Sequence, residues 1–250
     1  EKAALAIGRI LRATGRVRRG LGTIRQDLNV SIRDGALVEI KGVQELELVS
    51  RIIENEVQRQ LSLLRIREDL KEQKVRADSI RGEFSDATPI FKQTECRVLR
   101  KAVERKKQVL AVKLPGFAGL LKRELAPGMR LGKEMADVAK FWSRVEGLFH
   151  TDEMPAYGVV AEEVDRLRQL TEAGERDAVV FVADTLENAT DALEAVTERA
   201  REAFVGVPEE TRAGNPDGTT RYMRPRPGAA RMYPETDVPP IQLSEGYLEK

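Results

Sequence analysis

At 250 residues the chain has room for one large domain or two small ones. With 41% hydrophobic and 33% charged residues it reads as globular rather than disordered, its cores aliphatic because aromatics reach only 5%; no run approaches the roughly 20 apolar residues of a membrane span. The net charge of +1 hides an uneven distribution: residues 1–33 carry +6, residues 212–231 carry +4 and the remainder −9.

Two basic stretches flanking an acidic middle point to a phosphate-bearing partner, with plain solvated charge as the alternative. One cysteine, Cys96, excludes an internal disulfide and a cysteine-cluster metal site. The lone His150 has no obvious nucleophile to serve and reads as structural. No signal peptide is visible, and the chain reads as cytoplasmic.

Glu1–Thr14 has helical spacing, with Leu5, Ile7, Ile10 and Leu11 apolar and Gly15 ending the pattern. It opens without Met or a start signal, so the expectation is a piece of a longer protein. The next stretch, LGTIRQDLNVSIRDGALVEIK over Leu21–Lys41, alternates. Ile24, Leu28, Val30 and Ile32 fall on one face, and Arg25, Asp27, Asn29 and Ser31 on the other. Val38 and Ile40 then alternate with Glu39 and Lys41, which makes a hairpin. A two-residue loop would put Ser31 on the face of Val38, a slip that flips every side chain. A three-residue loop, Arg33-Asp34-Gly35 with Gly35 left-handed, keeps the faces matched. Asn29 is then opposite Glu39, and Asp27 opposite Lys41. The polar face is either one wet side of an antiparallel sheet or a site, since cations suit phosphate oxygens and carboxylates suit Mg²⁺.

Val43–Lys74 is a long helix with a stripe of Leu46, Ile53, Val57, Leu61 and Leu64, and Val75–Ser85 is a polar connector. Gln108–Leu114 alternates as a strand, closed by Pro115-Gly116. The Gly116–Leu121 loop lacks the Gly-Lys-Ser/Thr ending of a phosphate loop. A helix is expected from Gly132 to about Val145, a short strand at Gly147–Phe149, and a helix at Glu162–Thr171. The apolar run Ala178–Ala183 reads as a central strand, and Asp184 or Thr185 caps a helix running to about Phe204. Gly206–Pro240, rich in Pro, Gly and Arg, reads as an extended, mostly irregular return segment. This order of elements indicates an α+β fold.

The residues Gly22-Thr23-Ile24-Arg25-Gln26-Asp27-Leu28-Asn29-Val30-Ser31, followed by Glu39-Ile40-Lys41-Gly42-Val43-Gln44, resemble the E-subunit family of the archaeal glutamyl-tRNA(Gln) amidotransferases. The bacterial B subunit has a similar Arg-x-Asp-x-Asn-x-Ser and Glu-Ile-Lys pattern; Gly-Val-Gln after the lysine favours the archaeal E subunit. RPRPGAARMYPETDVPP, ending at Pro240, continues the likeness.

The resemblance implies three parts. Residues 1–82 form the later part of a catalytic cradle, an antiparallel hairpin sheet with a long helix. Residues 83–207 form an inserted small α+β domain of the kind shared with bacterial-type aspartyl-tRNA synthetases, called GAD. Residues 208–250 return to the cradle, which places Tyr222–Pro240 beside the hairpin. It also implies ATP- and Mg²⁺-dependent conversion of Glu-tRNA(Gln) to Gln-tRNA(Gln), with ammonia from an asparaginase-like D subunit. Arg25, Asp27 and Lys41 would be catalytic, and Asp27 and Glu39 would hold the metal. Asn29, Ser31, Arg224, Arg231, Tyr233 and Glu235 would bind substrate. The family's upstream metal ligands and its later helical and tail domains would lie outside these residues, which leaves this chain with half a site. A tRNA- or subunit-binding module without catalysis is the competing reading.

Overall fold

The computed structural model describes residues 1–18, 20, 23 and 26–226. Helix α1 (Lys2–Ala13) comes first and buries none of its residues. Strands β1 (Gln26–Val30) and β2 (Val38–Val43) form the hairpin, and α2 (Leu46–Glu72) follows. The inserted segment contains β3 (Ser85–Asp86), α3 (Arg97–Glu104), β4 (Gln108–Leu114), β5 (Glu124–Ala126), β6 (Met129–Arg130) and α4 (Leu131–Trp142). It continues with β7 (Phe149–His150), α5 (Ala161–Leu170), β8 (Ala178–Asp184) and α6 (Leu186–Glu202). The chain then returns as β9 (Glu210–Gly214) and β10 (Thr220–Pro225). The fold is α+β, and among the described residues no helix is long and apolar enough to cross a membrane.

Two four-stranded sheets organise these elements, one in the order β1-β2-β9-β10 and the other β3-β4-β8-β7. The second shows why a run such as Ala178–Ala183 must be central. Val180 and Val182 of β8 join Leu110, Val112 and Leu114 of β4 in one core; Val179 and Phe181 join Val109 and Ala111 in another. Both faces are covered, so both parities are apolar. The larger core also takes in Val30, Val38 and Ile40 of the hairpin and Ile52, Leu63, Ile66 and Leu70 of α2. Thus the inserted segment builds its own sheet, but one of its apolar cores is continuous with that of the hairpin and long helix.

Three expectations are corrected. Residues 210–225 are not irregular: β9 pairs antiparallel with β10 and parallel with β2, so the first sheet is mixed. The Asn215–Gly218 sequence NPDG supplies the turn, with Gly218 at φ 83°. In α2 the buried stripe is Val49, Ile52, Glu56, Arg59, Gln60, Leu63, Ile66 and Leu70, whereas Ile53 and Leu61 are exposed.

The third correction concerns the hairpin turn. The Gly35 amide donates to the Ile32 carbonyl at 3.1 Å, and Asp34, not Gly35, has the left-handed backbone (φ 63°). Asp tolerates that conformation through its short polar side chain. Gly35 is required for space instead. A Cβ there would lie 2.7 Å from Ile32 Cγ1 and collide with Gln60 Oε1 on the buried side of α2. Gly35→Ala and Gly35→Val should therefore each destabilise the chain, Val by about 1–3 kcal/mol. Asp34→Gly should shift a urea melt by much less; the reverse order would restore a backbone reason for Gly35.

Candidate functional site

The register of the first sheet builds a polar row. Asn29 lies opposite Glu39, Glu39 opposite Thr211, and Thr211 opposite Arg224. Residues directly opposite point to the same face. The row therefore crosses four strands, three interstrand steps of about 14 Å in all. Its neighbour is set by a bulge between Gln26 and Leu28 that brings Asp27 to Lys41.

Lys41 Nζ donates to Asp27 Oδ2 at 2.8 Å and to Glu39 Oε1 at 2.5 Å. The other Glu39 oxygen, Oε2, accepts from Thr211 Oγ1 at 3.2 Å. The hydrogen bond to Asp27, then that to Glu39, holds the Lys41 ammonium above its ordinary value of 10.5. Lys41 is thus a fixed cation at neutral pH and no general base. Thr211, fully buried, is a member of this face that the sequence reading missed, because nothing local marks it.

Of the residues expected to form the site, Asp27, Asn29, Glu39 and Lys41 come together, and Arg224 stands at the far end of the row on the edge strand. Ser31 is not brought in. It is exposed and lies beyond β1, where the chain has left the ladder for the Ile32–Gly35 turn. Arg25, Arg231, Tyr233 and Glu235 lie outside the described residues.

Asp27 and Glu39 offer hard carboxylate oxygens with 43% and 24% of their side chains exposed. Among the described residues no third His, Cys, Asp or Glu joins them as a metal cluster. Two carboxylates are the protein contribution Mg²⁺ commonly takes when phosphate and water complete its octahedron. Asp27 and Glu39 are the residues of this face that could hold such an ion.

The opposite face of the same strand is equally polar but buried. Glu210 and Arg212 flank Thr211 on β9 and point into a cluster with Glu56 and Arg59 of α2, Glu134 of α4 and Arg199 of α6. Arg59 is bidentate to Glu134, at 2.7 and 3.0 Å, and donates to Glu56 at 2.9 Å and to Glu210. Arg212 reaches Glu210 at 2.5 Å and Thr220 Oγ1 at 2.7 Å, while Arg199 holds Glu134.

Burial alone would lower Arg59, but Glu134, Glu56 and Glu210 raise it well above its usual value. Burial would likewise raise the Glu134 carboxyl, yet Arg59, Arg199 and Arg212 carry it well below the usual carboxylate range. Three carboxylates thus balance three guanidiniums inside the protein, tying the inserted segment to the strand that carries Thr211. One sequence signal was available: Glu56, Arg59 and Gln60 sit at the i, i+3, i+4 positions where α2 should continue its apolar stripe.

Residues 99–193, within the inserted segment, match the GAD domain family. The whole chain is similar to the E subunit of the glutamyl-tRNA(Gln) amidotransferase of Methanocaldococcus jannaschii, 54% identical over 251 residues that cover 100% of this chain and 39% of that protein. The corresponding E subunit of Pyrococcus furiosus is 56% identical over 96% of this chain and 38% of its own. That of Thermococcus gammatolerans is 57% identical over 94% and 37%. The chain spans about two fifths of the length of the curated relatives it matches.

Proposed function

We propose that this chain, a homologue along its length of the E subunit of archaeal glutamyl-tRNA(Gln) amidotransferases, supplies part of the phosphoryl-transfer face of a tRNA-dependent amidotransferase. The substrate is Glu-tRNA(Gln) and the product Gln-tRNA(Gln), made in the cytoplasm with ammonia from an asparaginase-like D subunit. A carboxylate is a poor electrophile. The γ-phosphoryl group of ATP passes to the side-chain carboxylate of the tRNA-bound glutamate with release of ADP; ammonia then attacks that carbonyl carbon and phosphate leaves.

The observation that supports this most is the Asp27–Lys41–Glu39 triad in register with Asn29, Thr211 and Arg224. Phosphoryl transfer requires positioned charge more than covalent chemistry from the protein. Lys41, with Arg25 from the same motif, would meet phosphate oxygens. Asp27 and Glu39 would hold Mg²⁺, which when bound neutralises charge developing on the phosphates. Asn29 would orient the glutamate carboxylate, Thr211 holds Glu39 in place, and Arg224 with Arg231, Tyr233 and Glu235 would contact substrate.

The test uses a full-length relative with its ammonia-supplying partner. ADP should appear in proportion to added Glu-tRNA(Gln), require Mg²⁺, and fall to background with Gln-tRNA(Gln). ADP release that ignores the acylated tRNA would overturn the reading. Tight tRNA binding without any ADP would favour the binding-module alternative.

A further inference from the structure

Basic residues are densest not in the two stretches that the charge distribution singled out but inside the acidic middle. Residues 97–107, RVLRKAVERKK, hold six Lys/Arg and one Glu. The fold turns this run into a groove of about 720 Å³ between α3 and the turn at residues 143–148. Arg97, Lys101 and Arg105, at i, i+4 and i+8, form one wall, and Arg144 projects from the other side beside a single exposed carboxylate, Glu146, so that cations outnumber it. None of the four pairs with a carboxylate among the described residues, whereas Lys107 is held by Asp184 at 2.8 Å.

Like charges four residues apart on a helix repel each other. A stripe of them with no carboxylate partner is stabilised by an anion from outside. The row from Arg97 to Arg105 extends roughly 12 Å, longer than a single phosphate. The groove has no exposed aromatic wall for base stacking: Phe149 is half-buried and stacked on Phe181, ring centres 5.4 Å apart. A second large cavity, about 490 Å³, is lined by Asp191, Glu194, Glu198 and Glu202 as well as Arg199, and this excess of carboxylates disfavours phosphate.

We infer that the α3 groove binds the phosphodiester backbone of RNA, without reading its bases. The groove rests on the proposed amidotransferase reading only for which RNA enters it. RNA held there would anchor the substrate on the inserted segment, separately from the sheet face that meets the glutamate.

The test measures anisotropy of two labelled probes, a 20-base-pair RNA duplex and a tRNA(Gln) transcript, against the 250-residue chain over a salt series. Lys101→Gln with Arg105→Gln should weaken both probes at least tenfold at low salt. It should also reduce the slope of log K against log salt by about two, since each lost phosphate contact removes roughly 0.9. Arg9→Gln with Arg12→Gln, on the exposed face of α1, removes the same net charge and should have far less effect.

Equal weakening by the two pairs, or none by the first, would overturn the groove. So would displacement of RNA by polyglutamate at matched charge, which would mark a site for an acidic protein. Amidation without dependence on α3 would sink the groove and leave the proposed function standing. RNA bound through α3 by a protein whose full-length relative makes no Glu-tRNA-dependent ADP would do the reverse.

Discussion

Glu134→Gln should destabilise the chain by about 3–5 kcal/mol, the usual cost of leaving a buried charge without its partner. Glu134 is 4% exposed, accepts from Arg59 through both oxygens and from Arg199, and lies 3.4 Å from the Arg212 guanidinium. Without it two carboxylates face three guanidiniums that cannot deprotonate; Arg199 keeps Glu202 at 2.9 Å, but Arg59 and Arg212 are fully buried. For a chain of this size the melting temperature should drop by roughly 6–20 °C.

Glu198→Gln removes an ion pair that looks similar on paper, Arg201 to Glu198 at 3.1 Å, but that side chain is 65% exposed. It should cost well under about 1 kcal/mol. Urea melts of the two variants would decide the matter; a Glu134→Gln shift no larger than that of Glu198→Gln would mean that the cluster contributes nothing net.

The pH dependence has a definite sign. The Glu134 carboxyl is depressed in the folded state, so its contribution is whole above the ordinary value of 4.5. It is lost as pH falls below that value towards the depressed one. Acid unfolding of the wild type should therefore be steeper below about pH 4.5 than that of Glu134→Gln.

Lys41→Ala in a full-length relative should slow glutamate phosphorylation by about 10²–10³, the typical loss on removing one group that stabilises developing charge. Asp27→Asn should do the same. Neither should move the melt by more than about 1 kcal/mol, because Lys41 and Asp27 keep 31% and 43% of their side chains in solvent, where ion pairs contribute little. Single-turnover transfer from labelled ATP separates this step from ammonia delivery. Lys41→Arg should recover part of the rate through its charge, since the raised lysine value keeps Lys41 protonated up to and beyond pH 10.5. For the same reason no loss of rate from Lys41 deprotonation is expected as pH rises towards 10.5. Near-normal transfer in both Lys41→Ala and Asp27→Asn would return this face to an ordinary wet side of a sheet.

Alternation over five or six residues was enough to place the hairpin, to set Asn29 against Glu39, and to put Asp27 beside Lys41. These contacts are local in the chain, where the pleat and the turn leave one register that buries Val30, Val38 and Ile40 together. The other helices and the strand Ala178–Asp184 were readable for the same reason, since their periodicity is local, but the short helix Arg97–Glu104 was not expected. The left-handed residue of the turn was not: Gly35 is glycine because Gln60 of a packed helix lies against it.

The return of β9 beside β2 depends on a parallel pairing between residues 172 positions apart, Glu39 and Thr211, hidden behind a proline- and glycine-rich composition. Arg59 meets Glu210 across 151 positions and Glu134 across 75. No pattern in α2 alone could show that its charged interruption would be balanced from three other elements. Short-range order follows from side-chain alternation and hydrogen-bonding geometry. The pairing of distant charges, and the placing of Thr211 between a buried ionic cluster and an open polar row, exist only once the core has closed.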